Sequence, residues 1–272
     1  MKKDILSEIV ANKRFEVDFQ KTIIPFEELE VSALEARTFR SMRASLAASK
    51  SGIISEFKRR SPSKGWIKER ADAAMIIPSY EAAGASALSI LTDEKFFGGS
   101  LGDIRTARPL VNLPILRKDF IVDEYQILQA RVAGADAILL IAACLSQPRC
   151  EELATFAHKQ GLEVLLEVHT EEELDYISSN VDMAGINNRN LGTFYTSIEN
   201  SYNLAELLNE RVDAFGKEAP LLVSESGISK PDTVAQLRKA GFRGFLIGET
   251  FMKTEQPGET LRDFIKNVES AN

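Results

Sequence analysis

Eight short apolar runs, spaced by helix-like segments, constrain this chain more than any other feature. From about residue 52 they are GIISEF (52–57), ALSIL (87–91), PILRK (114–118), AILLIA (137–142), EVLLEV (163–168), MAGIN (183–187), PLLVSE (220–225) and GFLIG (244–248). Runs so short and so uniformly apolar read as strands covered on both faces, the situation of a parallel sheet. Between them lie amphipathic segments such as ADAAMIIPSYEAAGA, DEYQILQARVAGA and QPRCEELATFAHKQG. Gly84, Gly134, Gly161 and Gly241 fall where these helices must end before the next strand. AGA, AGAD and AGF ahead of the second, fourth and eighth runs are a weak internal echo. Eight β units alternating with helices predict the α/β class and a (β/α)8 barrel. An open doubly wound sheet fits less well, because no GxGxxG turn follows the first run.

Residues 1–48 stand outside this rhythm. ILSEIVANKRFEVDFQK places Ile5 and Ile9, and Leu6 and Val10, at helical spacing, and FEELEVSALEARTFRSMRASLA reads as a second helix. The expectation is a helical extension before the first strand that either caps a barrel end or serves an interface. A barrel closes without residues 1 to about 45, so their removal is expected to leave a folded core. With no low-complexity linker, residues 1–272 are read as a single domain.

Composition bounds the partners. Of the 272 residues 44% are hydrophobic, enough for a large core, and 33 basic against 40 acidic residues leave a net charge of −7. Such a chain is not built for bulk attraction to nucleic acid or to a membrane surface, so an anionic ligand needs a local basic site. The expected partner is a small phosphorylated molecule, and the chain a monomer or weak homo-oligomer. No run approaches a transmembrane length, and MKKDILSEIVANKRFEV has neither an apolar core nor a cleavage site for export, so a cytoplasmic location is expected. Cys144 and Cys150 match no disulfide framework or CxxC metal site and are read as reduced and structural.

The strand ends carry the chemistry. IISEFKRRSP (53–62) begins as a buried strand and then brings Glu56, Lys58, Arg59 and Arg60 within five residues. Side chains two apart share a face of a strand. Glu56 thus goes with Lys58, Asn187 with Arg189, Lys118 with Leu116, and Glu167 with Leu165. In a barrel these ends converge on one mouth, where barrel enzymes hold their catalytic groups. Buried charges of both signs need one another or a charged ligand. Structural ion pairs at the rim are an even alternative for any one of these residues, and a poor one for five residues on five strands. A lysine among other cations is expected to have its pKa lowered toward a useful range for acid catalysis.

After the seventh run, SESGISKP offers a turn at Ser226-Gly227, with Ser229-Lys230-Pro231 as cap and first turn of a helix. After the eighth comes Gly248-Glu249. Barrels commonly hold phosphate on these two loops and a nearby helix start, with small residues letting backbone N–H groups approach. Arg59 and Arg60 have opposite parity, so both cannot enter the mouth, and Arg59 is expected to point away. Phe97, Phe120 and Leu139, near strand ends, suit an apolar wall as well as plain core. His158 is placed on a helix surface and His169 just past the fifth run, neither with a catalytic part, and no ligand spacing for a metal is present.

In this order and spacing, GIISEFKRRSPSKGWI, LTDEKFFGGSLGDI, LPILRKDFIVDEYQI, LLEVHTEEEL, GINNRNLGTF, SESGI and GFLIGETFM resemble indole-3-glycerol phosphate synthase of tryptophan biosynthesis. The resemblance covers nearly the whole chain, the N-terminal extension included, and SEFKRRSPSKG and LRKDFIVDEYQI are its most specific parts. It implies decarboxylating ring closure of 1-(2-carboxyphenylamino)-1-deoxyribulose 5-phosphate to indole-3-glycerol phosphate, CO2 and water, without metal or organic cofactor. It implies a catalytic set of Lys118 as general acid, Lys58 near the substrate carboxylate and a second candidate acid, Glu56 and Glu167 as alternative bases, and Asn187. Arg189 is implied with Asn187 in positioning the substrate, and Ser61, Ser226, Gly227, Gly248 and Glu249 in binding its phosphate. At Glu249 family members vary, some having Ser, so only its backbone N–H is expected to face the phosphate. Two rivals are a phosphoribosylanthranilate isomerase-like enzyme on the same barrel and a catalytically silent barrel that binds a phosphorylated metabolite. Neither requires the Glu56–Lys58–Lys118–Glu167 set.

Overall fold

The computed structural model describes residues 5–34, 39–190, 195–213, 216 and 219–271. Eight strands form a closed parallel barrel: β1 (Ile53–Phe57), β2 (Ala87–Leu91), β3 (Ile115–Lys118), β4 (Ala137–Ile141), β5 (Glu163–Val168), β6 (Met183–Asn187), β7 (Leu221–Glu225) and β8 (Gly244–Ile247). Each pairs in parallel with the next, and β8 closes on β1 through Ile53↔Phe245, Ile54↔Leu246 and Ser55↔Ile247. All eight apolar runs are strands, trimmed by at most one residue at an end. Ala142 leaves β4 for a 3-10 turn over Ala142–Cys144.

Period-two alternation sorts the strand residues into two cores. Ile54, Ala87, Leu116, Ala137, Leu139, Leu165, Met183, Val223 and Leu246 fill the barrel. Their strand neighbours, such as Ile53, Leu88, Ile115, Ile138, Val164, Leu166 and Phe245, face outward under the helices. The outer helices start on short side-chain caps: Asp72 for the helix Ala73–Ala82, Asp123 for Glu124–Ala133 and Ser146 for Gln147–Lys159. Gly84, Gly134, Gly161 and Gly241 all have positive φ, as expected where helices end. Between β5 and β6 the crossover is a 3-10 turn, Glu172–Tyr176, in place of a full helix.

The extension serves both barrel ends. Ile5, Leu6 and Ile9 of α1 (Ile5–Ile23) line a cavity at the C-terminal mouth. The second expected helix is two, α2 (Phe26–Leu34) and α3 (Met42–Ala48), while residues 35–38 of that reading lie outside the described residues. What starts α3 is local: Ser41 accepts from Ala44 N, and the Glu163 carboxylate at the start of β5 accepts from the N–H groups of Met42 and Arg43. Met42 and Leu46 are fully buried within the inner core, and Leu46 lies beside Gly244 at the start of β8. Thus α3 plugs the end opposite the mouth and is part of the core. A truncation at about residue 45 cuts into α3 and removes Met42 from the core, so a folded core is no longer expected of it.

Candidate active site

The mouth holds a cavity of about 390 Å³. Of the residues singled out from sequence, Glu56, Lys58, Phe97, Lys118, Phe120, Leu139, Glu167, Asn187, Arg189, Ser226, Gly227, Gly248 and Glu249 line it. All eight strands contribute, seven through the last residue or the one just beyond and β5 through its penultimate residue, Glu167. Phe97 and Phe120 stack with centroids 5.9 Å apart and, with Leu139, form an apolar wall.

Lys118 sits at the centre of the charges. Its Nζ donates to Glu225 Oε2 at 2.8 Å and lies 3.4 Å from Glu56 Oε2. The other Glu56 oxygen pairs with Lys58. Burial alone would lower the Lys118 pKa, but the charges of Glu225, Glu56 and Glu167 outweigh it and raise it above the ordinary lysine value. The expectation of a depressed lysine is overturned, because its neighbours are carboxylates and not cations. Glu56 is held at about 2: burial opposes this, and Lys58 and Lys118 outweigh burial.

Glu167 Oε1 accepts from Asn187 Nδ2 at 3.0 Å and lies 3.2 Å from His169 Nε2. His169, the residue directly after β5, stands between Glu167 and Glu173 and is raised to about 10 by both, against its burial. It therefore stands as a cation beside Glu167, where the sequence suggests no catalytic part for it. Burial pushes Glu167 up, and the His169 bond and charge, Lys118 and Asn187 bring it down to about 2. Arg189 N donates to Asn187 Oδ1 at 3.0 Å, which fixes the loop after β6. The LGTF part of GINNRNLGTF, residues 191–194, lies outside the described residues.

Two consecutive left-handed residues, Ser226 (φ +66°) and Gly227 (φ +76°), turn the chain after β7. A Cβ on Gly227 would meet Thr196 Cγ2 at 2.9 Å. Gly227→Val therefore combines a clash with a β-branched residue at positive φ. It is expected to raise KM strongly with little change in secondary structure, checked by steady-state kinetics and circular dichroism. At Gly248 a Cβ would meet Glu56 Oε1 at 2.2 Å, so this glycine makes room for a carboxylate of the site. The following helix, Glu249–Met252, begins with N–H groups that have no intrahelical acceptor. The Glu249 carboxylate turns to the rim, 3.8 Å from Lys64 Nζ and 4.0 Å from Arg189 Nη2. Ser229 lines the cavity, and the helix cap is Lys230 instead, without a side-chain hydrogen bond.

Ser61 is the exception among the predicted residues. It is buried, its Oγ accepts from Lys64 N at 3.3 Å, and Pro62 and Lys64 take the place on the cavity wall expected of it. Arg59 does point away: it grips Asp103 with two bonds of 2.6 and 2.8 Å and donates to Ala71 O. Arg60 lies over the Trp66 ring.

The sequence reading missed Glu225, which is fully buried at the end of β7. Its parity with Leu221 and Val223 was the available signal, the one that found Glu56 and Glu167. A Cβ at Gly185 would meet Glu225 Oε1 at 2.5 Å, so Gly185 supplies its space. Burial, then Glu167 and Glu56, push Glu225 up to about 7 against the pull of Lys118. A carboxyl raised from 4.5 to about 7 on folding binds more protons in the native state, so its contribution to stability is lost as pH rises through that window. The stability difference between the parent and Glu225→Gln is accordingly expected to shift against the parent between pH 4.5 and 7, measured by denaturant titration.

No metal-binding group of three or more His, Cys, Asp or Glu occurs among the described residues, and no helix there is long and apolar enough to cross a membrane. Cys144 and Cys150 are free thiols.

Comparison with known proteins gives the same family from the whole chain. The family model described as indole-3-glycerol phosphate synthase matches residues 6–264. An indole-3-glycerol phosphate synthase of Bacteroides thetaiotaomicron is 67% identical over 267 residues, covering 98% of this chain and all of the relative. One of Burkholderia ambifaria is 46% identical over 263 residues, covering 95% and 97%, and one of Burkholderia lata is 45% identical over the same length and shares. With the barrel, the charged mouth and a match over nearly its full length, the chain belongs to the indole-3-glycerol phosphate synthase family.

Proposed function

We propose that the protein converts 1-(2-carboxyphenylamino)-1-deoxyribulose 5-phosphate to indole-3-glycerol phosphate, releasing CO2 and water. Family membership supports the reaction, and one observation supports the division of labour: Lys118 lies among three carboxylates at the floor of a cavity walled by Phe97 and Phe120. The substrate carries a phosphate, an aromatic ring and a carboxylate. Ser226, Gly227 and the first N–H groups of the Glu249–Met252 helix receive the phosphate, with Lys64, Arg189 and Lys253 at the same rim. The ring lies on the aromatic wall under Ile9, and its carboxylate faces Lys58, Asn187 and Arg189.

In the first step the ring carbon bearing the carboxylate attacks the ketone carbon, and Lys118 gives its proton to the ketone oxygen. Loss of CO2 restores the aromatic ring. The new hydroxyl then leaves as water, taking a proton from a lysine, as a base removes a proton from the neighbouring carbon to form the double bond of the indole. We assign the base to Glu167. Both Glu56 oxygens are engaged by lysines, whereas Glu167 Oε2 takes no hydrogen bond or ion pair among the described residues.

Incubation of the purified protein with the carboxyphenylamino-deoxyribulose phosphate tests the proposal. Indole fluorescence and CO2 appearing together are expected. Ligand binding without turnover favours the silent barrel, and isomerisation of phosphoribosylanthranilate without indole favours the isomerase.

A further inference from the structure

Lys13 is a lysine where an exposed helix should carry an exposed one. It lies in α1, far in sequence from every strand end, yet it is 2% exposed. Its Nζ is 3.0 Å from each of Glu16 Oε2, Asp93 Oδ2 and Asp119 Oδ1. Asp93 and Asp119 are themselves buried, and Arg117 Nη2 pairs with the other Asp119 oxygen at 3.0 Å. Lys13 and Arg117 thus balance Asp93 and Asp119 away from water, with Glu16 and Glu94 beside a small cavity next to them. Burial alone would lower the Lys13 pKa; Asp119, Asp93 and Glu16 outweigh it and keep the ammonium charged.

Each partner of Lys13 holds a part of the active site. Asp119 follows Lys118 directly, and its Oδ1 accepts from Phe120 N at 2.8 Å. Asp93 accepts from Phe96 N at 2.8 Å and so caps the Glu94–Phe97 helix that carries Phe97. Four residues before Lys13, on the same face of α1, Ile9 roofs the cavity. One ammonium therefore joins the roof, both rings of the aromatic wall and the strand end of Lys118.

From this geometry we infer that Lys13 is a positioning residue for the reaction, setting Lys118 against the Phe97–Phe120 wall through Asp119 and Asp93. Without it, one buried carboxylate lacks a counter-charge and must take up a proton or open to water. Either response loosens the bonds to the Phe96 and Phe120 amides. The inference rests on Lys118 acting in the cavity as proposed above.

Lys13→Met tests it, with Ile9→Ala as the control for loss of roof packing alone. In Lys13→Met, kcat is expected to fall by ~10²-fold, the usual effect of a misplacement near 1 Å, and by more than KM rises. The acid limb of its kcat profile is expected to move to higher pH as Asp119, no longer held down by Lys13, takes up a proton. Ile9→Ala is expected to raise KM by more than it lowers kcat and to leave that limb in place. Hydrogen exchange supplies an arm that needs no turnover: the Phe96 and Phe120 amides lose protection in Lys13→Met and not in Ile9→Ala. Unchanged kcat, or unchanged protection of both amides, overturns the inference. Should Lys13→Met not fold, Asp93→Asn, which keeps a capping side chain and removes one charge, is scored on the same arms. A parent that fails to turn over its substrate counts against the proposed function, and the exchange arm still decides the part of Lys13.

Discussion

Lys118→Met is expected to lower kcat by ~10²–10⁴, the range that a positioned general acid supplies, in a protein that still folds and binds its product. The fold is the first concern, because removing one partner of a buried pair costs about 3–5 kcal/mol when it strands a charge. Here the neighbours can absorb the loss. Glu225, already raised to about 7 with Lys118 at 2.8 Å, becomes protonated once that cation is gone and leaves no stranded charge on that side. Glu56 keeps its pair with Lys58. Methionine fills the space of the lysine stem, so the wall at Phe120 stays supported. Product binding, measured by quenching of indole fluorescence, is expected to remain, since Lys118 makes its ion pairs with Glu225 and Glu56 and none, among the described residues, with the loops after β7 and β8 proposed to hold the phosphate. Turnover near that of the parent would move the ketone protonation to Lys58.

The same cluster shows where the sequence was readable. The eight runs became eight strands because each is too short for a helix and apolar on both faces, and period-two parity then put Glu56, Lys118, Glu167 and Asn187 into one mouth. Parity is a backbone property, and it held. What parity cannot supply is which side chain stands beside which across the barrel. Lys118 was read as a cation among cations; across the lumen it meets Glu225 and Glu56, and its pKa moves the other way. Gly248 was read as a glycine for phosphate, and its tightest neighbour is Glu56. Ser61 had the right composition for an anion contact, but the turn Arg60–Trp66 buries it and presents Pro62 and Lys64. The start of α3 depends on Glu163, which lies 120 residues away from Arg43 in the chain. Lys13 was invisible for the same reason: its partners come from loops after β2 and β3.

Glu167→Gln is the sharper test of the division of labour between the two carboxylates, with an expected loss of ~10²–10⁴ in the rate of indole formation. Glutamine keeps an oxygen for Asn187 Nδ2, so Asn187 and the Arg189 loop behind it stay in place. What is lost is the acceptor for the proton that leaves in dehydration. Held at about 2, Glu167 is ionised throughout the neutral range, so the loss is expected at every pH where the parent works, without a displaced limb. In the proposed reaction, ring closure and decarboxylation use Lys118 and precede this step. The variant is therefore expected to release CO2 in a first turnover faster than it forms indole, a lag that rapid quenching with parallel CO2 and fluorescence detection resolves. Glu56→Gln should behave differently. Its carboxylate already satisfies Lys58 and Lys118, so its removal frees both lysines and weakens CO2 release and indole formation together. If Glu56→Gln gives the lag and Glu167→Gln does not, the two carboxylates exchange roles, and the open oxygen of Glu167 has a different use.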